Sequence, residues 1–198
     1  MGISNFLKKS IPQGQAKTPQ ESVHKERSPK EIQQFIDLAM ILSEQDKALL
    51  TVLEAYQRED SIAFQNAFQE GIDEYFYDEF AEGLECIDIE PLVLYGLVYF
   101  GFIGYNDWKS GMDDFLVNSE EAFEHYGLDI SIYDSIDEQW EIMAPDSLEL
   151  IKKGLPDPMG LALWDTQSDE YMMILTKKST LAQAVPLAEE LGIKISVL

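Results

Sequence analysis

Asp107, Trp108 and Lys109 follow one another in the chain, and Trp164-Asp165 is followed four residues later by Asp169. Two indoles, three carboxylates and an amine are the right types for a ligand pocket or an interface anchor. The rings supply contact area and the charges set orientation. Paired carboxylates also suit a small hydrolase or a magnesium-dependent enzyme, in which they would activate water or hold the metal. For either role, two elements must carry these residues to one place. Phe102–Trp108 and Leu161–Thr166 both read as strands, so all of these residues except Asp169 fall at strand ends. The plainer alternative is that both tryptophans pack under helices while the charges sit on turns.

Charge narrows the field. Between Arg58 and Lys152 the only basic residue is Lys109, against 24 acids. Residues 31–198 hold eight basic and 35 acidic side chains, a net charge of −27. Such a surface repels nucleic acid phosphates and draws in a basic protein partner. On the expected helix from Met112 to Tyr126, Glu120, Glu121 and Glu124 form a candidate steering face.

Familiar catalytic and cofactor motifs are missing. The chain lacks GxSxG, the Gly-rich phosphate loop ending in Lys-Ser/Thr, and GxGxxG, so no cofactor is expected. Of its two histidines, His24 lies near the N-terminus, and His125 closes an acidic helix, where a structural role is expected. Asp165, Gln167 and Asp169 have the spacing that begins a calcium loop. Glu170 stands where that loop needs glycine, and Thr176 where it needs glutamate, so no metal site is expected. One cysteine, Cys86, excludes an internal disulfide and suits a reducing cytoplasm. The longest uncharged apolar run, Pro91 to Tyr105, is shorter than the roughly 20 residues of a bilayer crossing and reads as buried core. Nothing in the sequence sets the oligomeric state.

Residues 1–28 are expected to be a disordered basic tail, and residues 29–198 a single acidic domain. The first 30 residues carry six basic side chains and two acidic ones. Ser28 and Glu31 form a capping box with Pro29 at the first helical position, and Ser43 with Asp46 is expected to open a second helix. Phe64, Phe68, Ile72, Phe76, Phe80 and Leu84 recur every four residues as a core stripe, with Gly71 as a possible break. Leu92 to Phe100, apolar on all sides, reads as a buried helix. Residues 129–145 are ambiguous: Ile130, Ile132 and Ile136 with Trp140 fit either a short strand or an irregular crossing segment. At the C-terminus, two strands around a Gln-Ser-Asp turn precede a helix capped by Ser179, kinked or restarted at Pro186, and a last strand from Ile193. The expected class is α+β, with N-terminal helices followed by a sheet of about four strands and helices packed mainly on one face.

Tyr105-Asn106-Asp107-Trp108-Lys109, Leu163-Trp164-Asp165, Asp169-Glu170-Tyr171 and Leu191-Gly192-Ile193 resemble an uncharacterised bacterial family known only as a domain of unknown function. The resemblance covers roughly residues 90–198 and implies a cytoplasmic α+β protein, with no catalytic residues to carry over. In size, charge and architecture the chain is also similar to the acidic immunity proteins of toxin systems. The leading expectation is a non-enzymatic interaction module whose acidic surface binds a basic protein. The small hydrolase or metal-dependent enzyme near Trp108 and Trp164 is the competing one.

Overall fold

The computed structural model describes residues 27–68 and 76–198. Most of the expected basic tail, together with Gly71 and Ile72 of the aromatic stripe, lies outside them. Ser28 opens α1 (Pro29–Leu42) as expected, accepting a bond from Glu31 N while the Glu31 carboxylate accepts from Ser28 N at 2.8 Å. Arg27, just before it, is nearly enclosed, with 7% of its side chain exposed. Its guanidinium lies 2.6 Å from Glu90, 3.3 Å from Asp88 and 4.7 Å above the Phe35 ring. Burial opposes this charge, but the hydrogen bonds to Asp88 and Glu90 outweigh it and raise the pKa.

Ser43 does not open α2 (Lys47–Gln57). It closes α1, and Asp46 is the cap, accepting from Leu49 N at 2.9 Å. Glu44 and Gln45, both at positive φ, make the turn between the two helices. Next come α3 (Ser61–Phe68) and α4 (Tyr77–Glu82). The phenylalanine spacing brings Phe64 and Phe68 to 5.9 Å between ring centres, and Phe68 and Phe76 to the same distance. Phe68 also stacks on Tyr99 of α5 (Ile89–Tyr99) at 4.8 Å.

The sheet has the order β1-β3-β2-β4, built from β1 (Ile103–Asp107), β2 (Met159–Asp165), β3 (Glu170–Lys177) and β4 (Lys194–Val197), with every neighbouring pair antiparallel. Ile103 pairs with Ile174, Leu161 with Leu175 and Trp164 with Ile195. Alternation along each strand divides the core. Ile103, Ala162, Trp164, Met172, Ile174 and Ile195 join the cluster under α1, α2, α5 and α9 (Lys178–Glu190). Leu161, Met173 and Leu175 face the other way, into a smaller cluster with Phe115, Phe123, Leu148 and Ile151. The α+β class is as expected. The main helical layer covers one face, and a thinner one, α6 (Met112–Val117), α7 (Glu120–His125) and α8 (Asp146–Gly154), covers the other.

Three local expectations change. The single helix over 112–126 is two short ones, broken at Asn118 and Ser119 where β1 presses against the chain. A Cβ at Gly104 would overlap the Ser119 side chain and stand 3.1 Å from the Asn118 carbonyl. The ambiguous stretch forms two 3₁₀ turns, Ile130–Tyr133 and Gln139–Glu141, followed by an isolated bridge from Met143 to Gly111. Helix α9 starts at Lys178 and runs on through Pro186, because Leu181, Ala184 and Ala188 keep one apolar face in the core across the lost hydrogen bond.

Candidate functional site

Strands β1 and β2 flank β3, both antiparallel to it, so they run the same way and their C-terminal ends lie at one end of the sheet. At the end of β1 the Asp107 carboxylate accepts from Lys109 N at 2.9 Å, and its carbonyl accepts from Ser110 N at 3.0 Å. That Asx turn carries the chain out of the ladder. Trp108 therefore stands 54% exposed, with Lys109 Nζ 4.8 Å from the centre of its ring.

At the end of β2, Asp165 accepts from Gln167 N and from Lys194 Nζ, each at 2.8 Å. The Lys194 contact first, and then the backbone bond from Gln167, hold its carboxyl below the usual aspartate range. Next to it, Glu170 accepts from Tyr105 Oη at 2.8 Å and from Ser168 Oγ at 3.0 Å. Burial, and then that bond to Glu170, push the Tyr105 phenol well upward. Trp108, Leu163, Asp165, Asp169 and Tyr171 are among the walls of a pocket of about 290 Å³ at this end of the sheet.

The structure thus brings Trp108, Asp165 and the exposed Asp169 to one pocket, and leaves Asp107 and Lys109 outside its lining. Trp164 also borders it, but its side chain is 3% exposed and belongs to the main core, paired across the sheet with Met172 and Ile195. For this tryptophan the plainer alternative holds, because strand alternation turns it under the helices. Asp165 is occupied by a lysine and a backbone amide, and Glu170 by two hydroxyls.

Glu120, Glu121 and Glu124 are all exposed on α7, and among the described residues none forms an ion pair. Partial desolvation, and then the neighbouring Glu124 and Glu120, raise the Glu121 pKa. Lys177 and Lys178 are paired elsewhere, with Glu44 and Asp157. These three glutamates are therefore not neutralised by an ion pair, whereas Glu149 on α8 lies 3.9 Å from Lys152.

The sequence reading missed Trp140, which is 63% exposed. Its segment reads from sequence as either a short strand or an irregular crossing stretch, and the structure instead sets Trp140 in the exposed 3₁₀ turn Gln139–Glu141. Among the described residues, no three His, Cys, Asp or Glu side chains gather as a metal site, and no helix is long and apolar enough to cross a membrane.

Comparison with curated proteins and with solved structures found no match. A family model does match, and it spans both helical layers and the whole sheet rather than only the C-terminal half that carries the motif resemblance. Over residues 34–198 this chain belongs to the family described as domain of unknown function DUF6630.

Proposed function

We propose that this protein is a non-enzymatic interaction module that binds a basic protein surface, with Trp108 as an anchoring side chain and the acids of α7 as a steering field. The observation that carries this reading is a half-exposed indole on the rim of an acid-lined pocket, already covered on one face by the sole lysine of its region. A tryptophan held out of the core by a hydrogen-bonded turn gives up apolar burial that only a partner can restore. Lys109 shows the kind of group this ring accepts, a cation at stacking distance. The surrounding charge favours basic partners and disfavours nucleic acid. Against the hydrolase alternative, Asp165 is engaged by Lys194 and Glu170 by two hydroxyls, which leaves Asp169 without a second open carboxylate among the acids that line this pocket.

The test is capture from native extract at rising ionic strength, followed by binding kinetics with the retained protein. A basic protein should be retained and then released by salt. Trp108→Ala should raise its dissociation rate on the order of 30-fold, the size of an interface hot spot. Reversing charge at Glu120, Glu121 and Glu124 should slow association about tenfold with little change in dissociation. Retention that ignores both salt and Trp108→Ala would overturn the proposal, as would turnover of a small substrate that Asp165→Ala abolishes with the fold intact.

A further inference from the structure

Strand β4 is an edge of the sheet, and the phase of its hydrogen bonds fixes which groups it leaves open. Leu198 N donates to Leu161 O at 3.0 Å, and the pairing of Ala162 with Val197 makes those two residues direct opposites. Along an antiparallel ladder, opposed residues that exchange bonds alternate with opposed residues that do not. Ser196 and Lys194 therefore direct their backbone groups toward β2, while the N–H and C=O of Ile195 and Val197 point away from it. Among the described residues these four outward groups have no hydrogen-bond partner.

The open groups lie on either side of Ser196. A second copy of β4, laid antiparallel about a twofold axis through Ser196, sets Ile195 opposite the partner's Val197 and Val197 opposite the partner's Ile195. Each of those two pairs exchanges both of its bonds, so every open group on both strands is satisfied. Shifting the axis to Ile195 would instead oppose Val197 to the partner's Ile193, and the N–H of Ile193 already bonds Ala188 within its own chain. The side chains follow the same symmetry. Ile195 lies in the main cluster, and Val197, two residues on and so on the same face, is 56% exposed. In the Ser196 register each Val197 packs beside the partner's Ile195, a β-branched cross-strand pair. The apolar face of the main cluster then continues across the axis.

Charge selects the occupant. Lys194 is the only charged residue of β4, and Asp165 holds it at 2.8 Å, so this edge is a neutral seam in an acidic body. A basic segment added here would bring its cations against Lys194. The chain's own strand brings a single lysine, and the antiparallel register keeps the two Lys194 positions roughly 14 Å apart along the strands, beyond the ~8 Å screening length at physiological salt. We infer that β4 pairs with β4 of a second copy about a twofold axis through Ser196, joining two four-stranded sheets into one of eight. A seam of four residues is short, so the dimer is weak and reversible.

Sedimentation equilibrium of the full chain tests the pairing. A dimer should form in about 0.5 M salt with a dissociation constant below about 1 mM, and should weaken at least about tenfold in about 0.05 M salt, where two bodies of like charge repel each other unscreened. Association driven instead by the basic residues that precede Ser28 would tighten as salt is removed. Val197→Pro takes away an outward N–H that the monomer leaves unbonded, at an edge position that tolerates proline, so the Tm should hold while dimerisation falls at least about tenfold. Val197→Lys, which puts a charge on the same exposed side chain, should have the same effect if the proline variant does not fold. In the dimer the amides of Ile195 and Val197 should exchange with water at least about tenfold more slowly than in dilute protein, with Ser196 and Leu198 unchanged. A chain that stays monomeric at about 1 mM in high salt would overturn the pairing. So would a dimer that tightens as salt is removed, one that survives both variants, or one in which the Ile195 and Val197 amides exchange as fast as in the monomer.

Discussion

The two faces of the sheet are covered by layers of different build. On one side, α1, α2, α5 and α9 bury a continuous cluster that runs from Phe35 to Ile195 and takes in Trp164. On the other, two six-residue helices, a nine-residue helix and two 3₁₀ turns bury a smaller cluster and leave Trp108, Val117, Ile132, Trp140 and Met143 exposed. The first layer buries the larger apolar cluster and the second the smaller one, although exposed apolar side chains are not confined to the second, since Ile62 and Tyr77 stand out beside the main cluster. Long amphipathic helices cover a sheet well because one stripe of each can be wholly apolar. Short helices and turns leave gaps, and large apolar side chains at those gaps stay partly in water.

The largest expected effect tests this division directly. Trp164→Ala removes a large side chain from the main core and should cost about 3–5 kcal/mol in urea unfolding. Trp108→Ala and Trp140→Ala remove the same group from the open layer and should each stay within about 0.5 kcal/mol of the parent. Similar losses for all three would mean that the thin layer depends on its exposed tryptophans for folding.

How far the sequence separates these tryptophans is instructive. Both stand near the ends of readable strands, and only the exact end of pairing tells them apart. The β1 ladder stops at Asp107 opposite Glu170, so Trp108 lies one residue beyond it, while Trp164 still pairs with Met172. A boundary one residue long is finer than periodicity resolves. The capping box at Ser28, the four-residue phenylalanine spacing and the hairpin-helix-strand ending were legible because each is a local pattern. The break between α6 and α7 was not, because it lies where Gly104 and Asn106 of a distant strand meet Ser119 and Asn118. The pairing of Asp165 with Lys194 across 29 residues was equally hidden, and it decides that this carboxylate is occupied. Trp140 was lost with its segment, whose turns are closed by side-chain bonds such as Gln139 to the Tyr133 carbonyl and by close packing on Gly111, neither of which leaves a periodic pattern.

A middle-sized effect concerns that hidden contact. Gly104→Ala places a methyl against the Ser119 side chain and should cost about 1–3 kcal/mol, chiefly in the thin layer. Ser119 Oγ is buried without a partner, so Ser119→Ala alone should be neutral or slightly stabilising. Combined with Gly104→Ala it should recover part of the loss, because the hydroxyl is the nearest atom to the new methyl. Strict additivity of the two substitutions would show that the helix break has another origin.

The smallest effect asks whether the thin layer carries its charge at a cost. Glu121 has its pKa raised in the fold, by desolvation first and then by Glu124 and Glu120. An acid shifted upward binds its proton more readily when folded than when unfolded. Its contribution to stability therefore falls as pH rises from the unfolded value of about 4.3 through the folded one, and the full penalty remains above that. Glu121→Gln removes the penalty. The variant should be more stable than the parent at pH 7 by no more than roughly 0.5 kcal/mol, given the exposure of the site, and added salt should narrow the gap. Below about pH 4, where the parent glutamate is protonated in both states, the two proteins should converge. A variant less stable than the parent at pH 7 would mean that Glu121 is compensated in solution, and the acidic face of α7 would then be a network of satisfied contacts rather than a free field waiting for a basic partner.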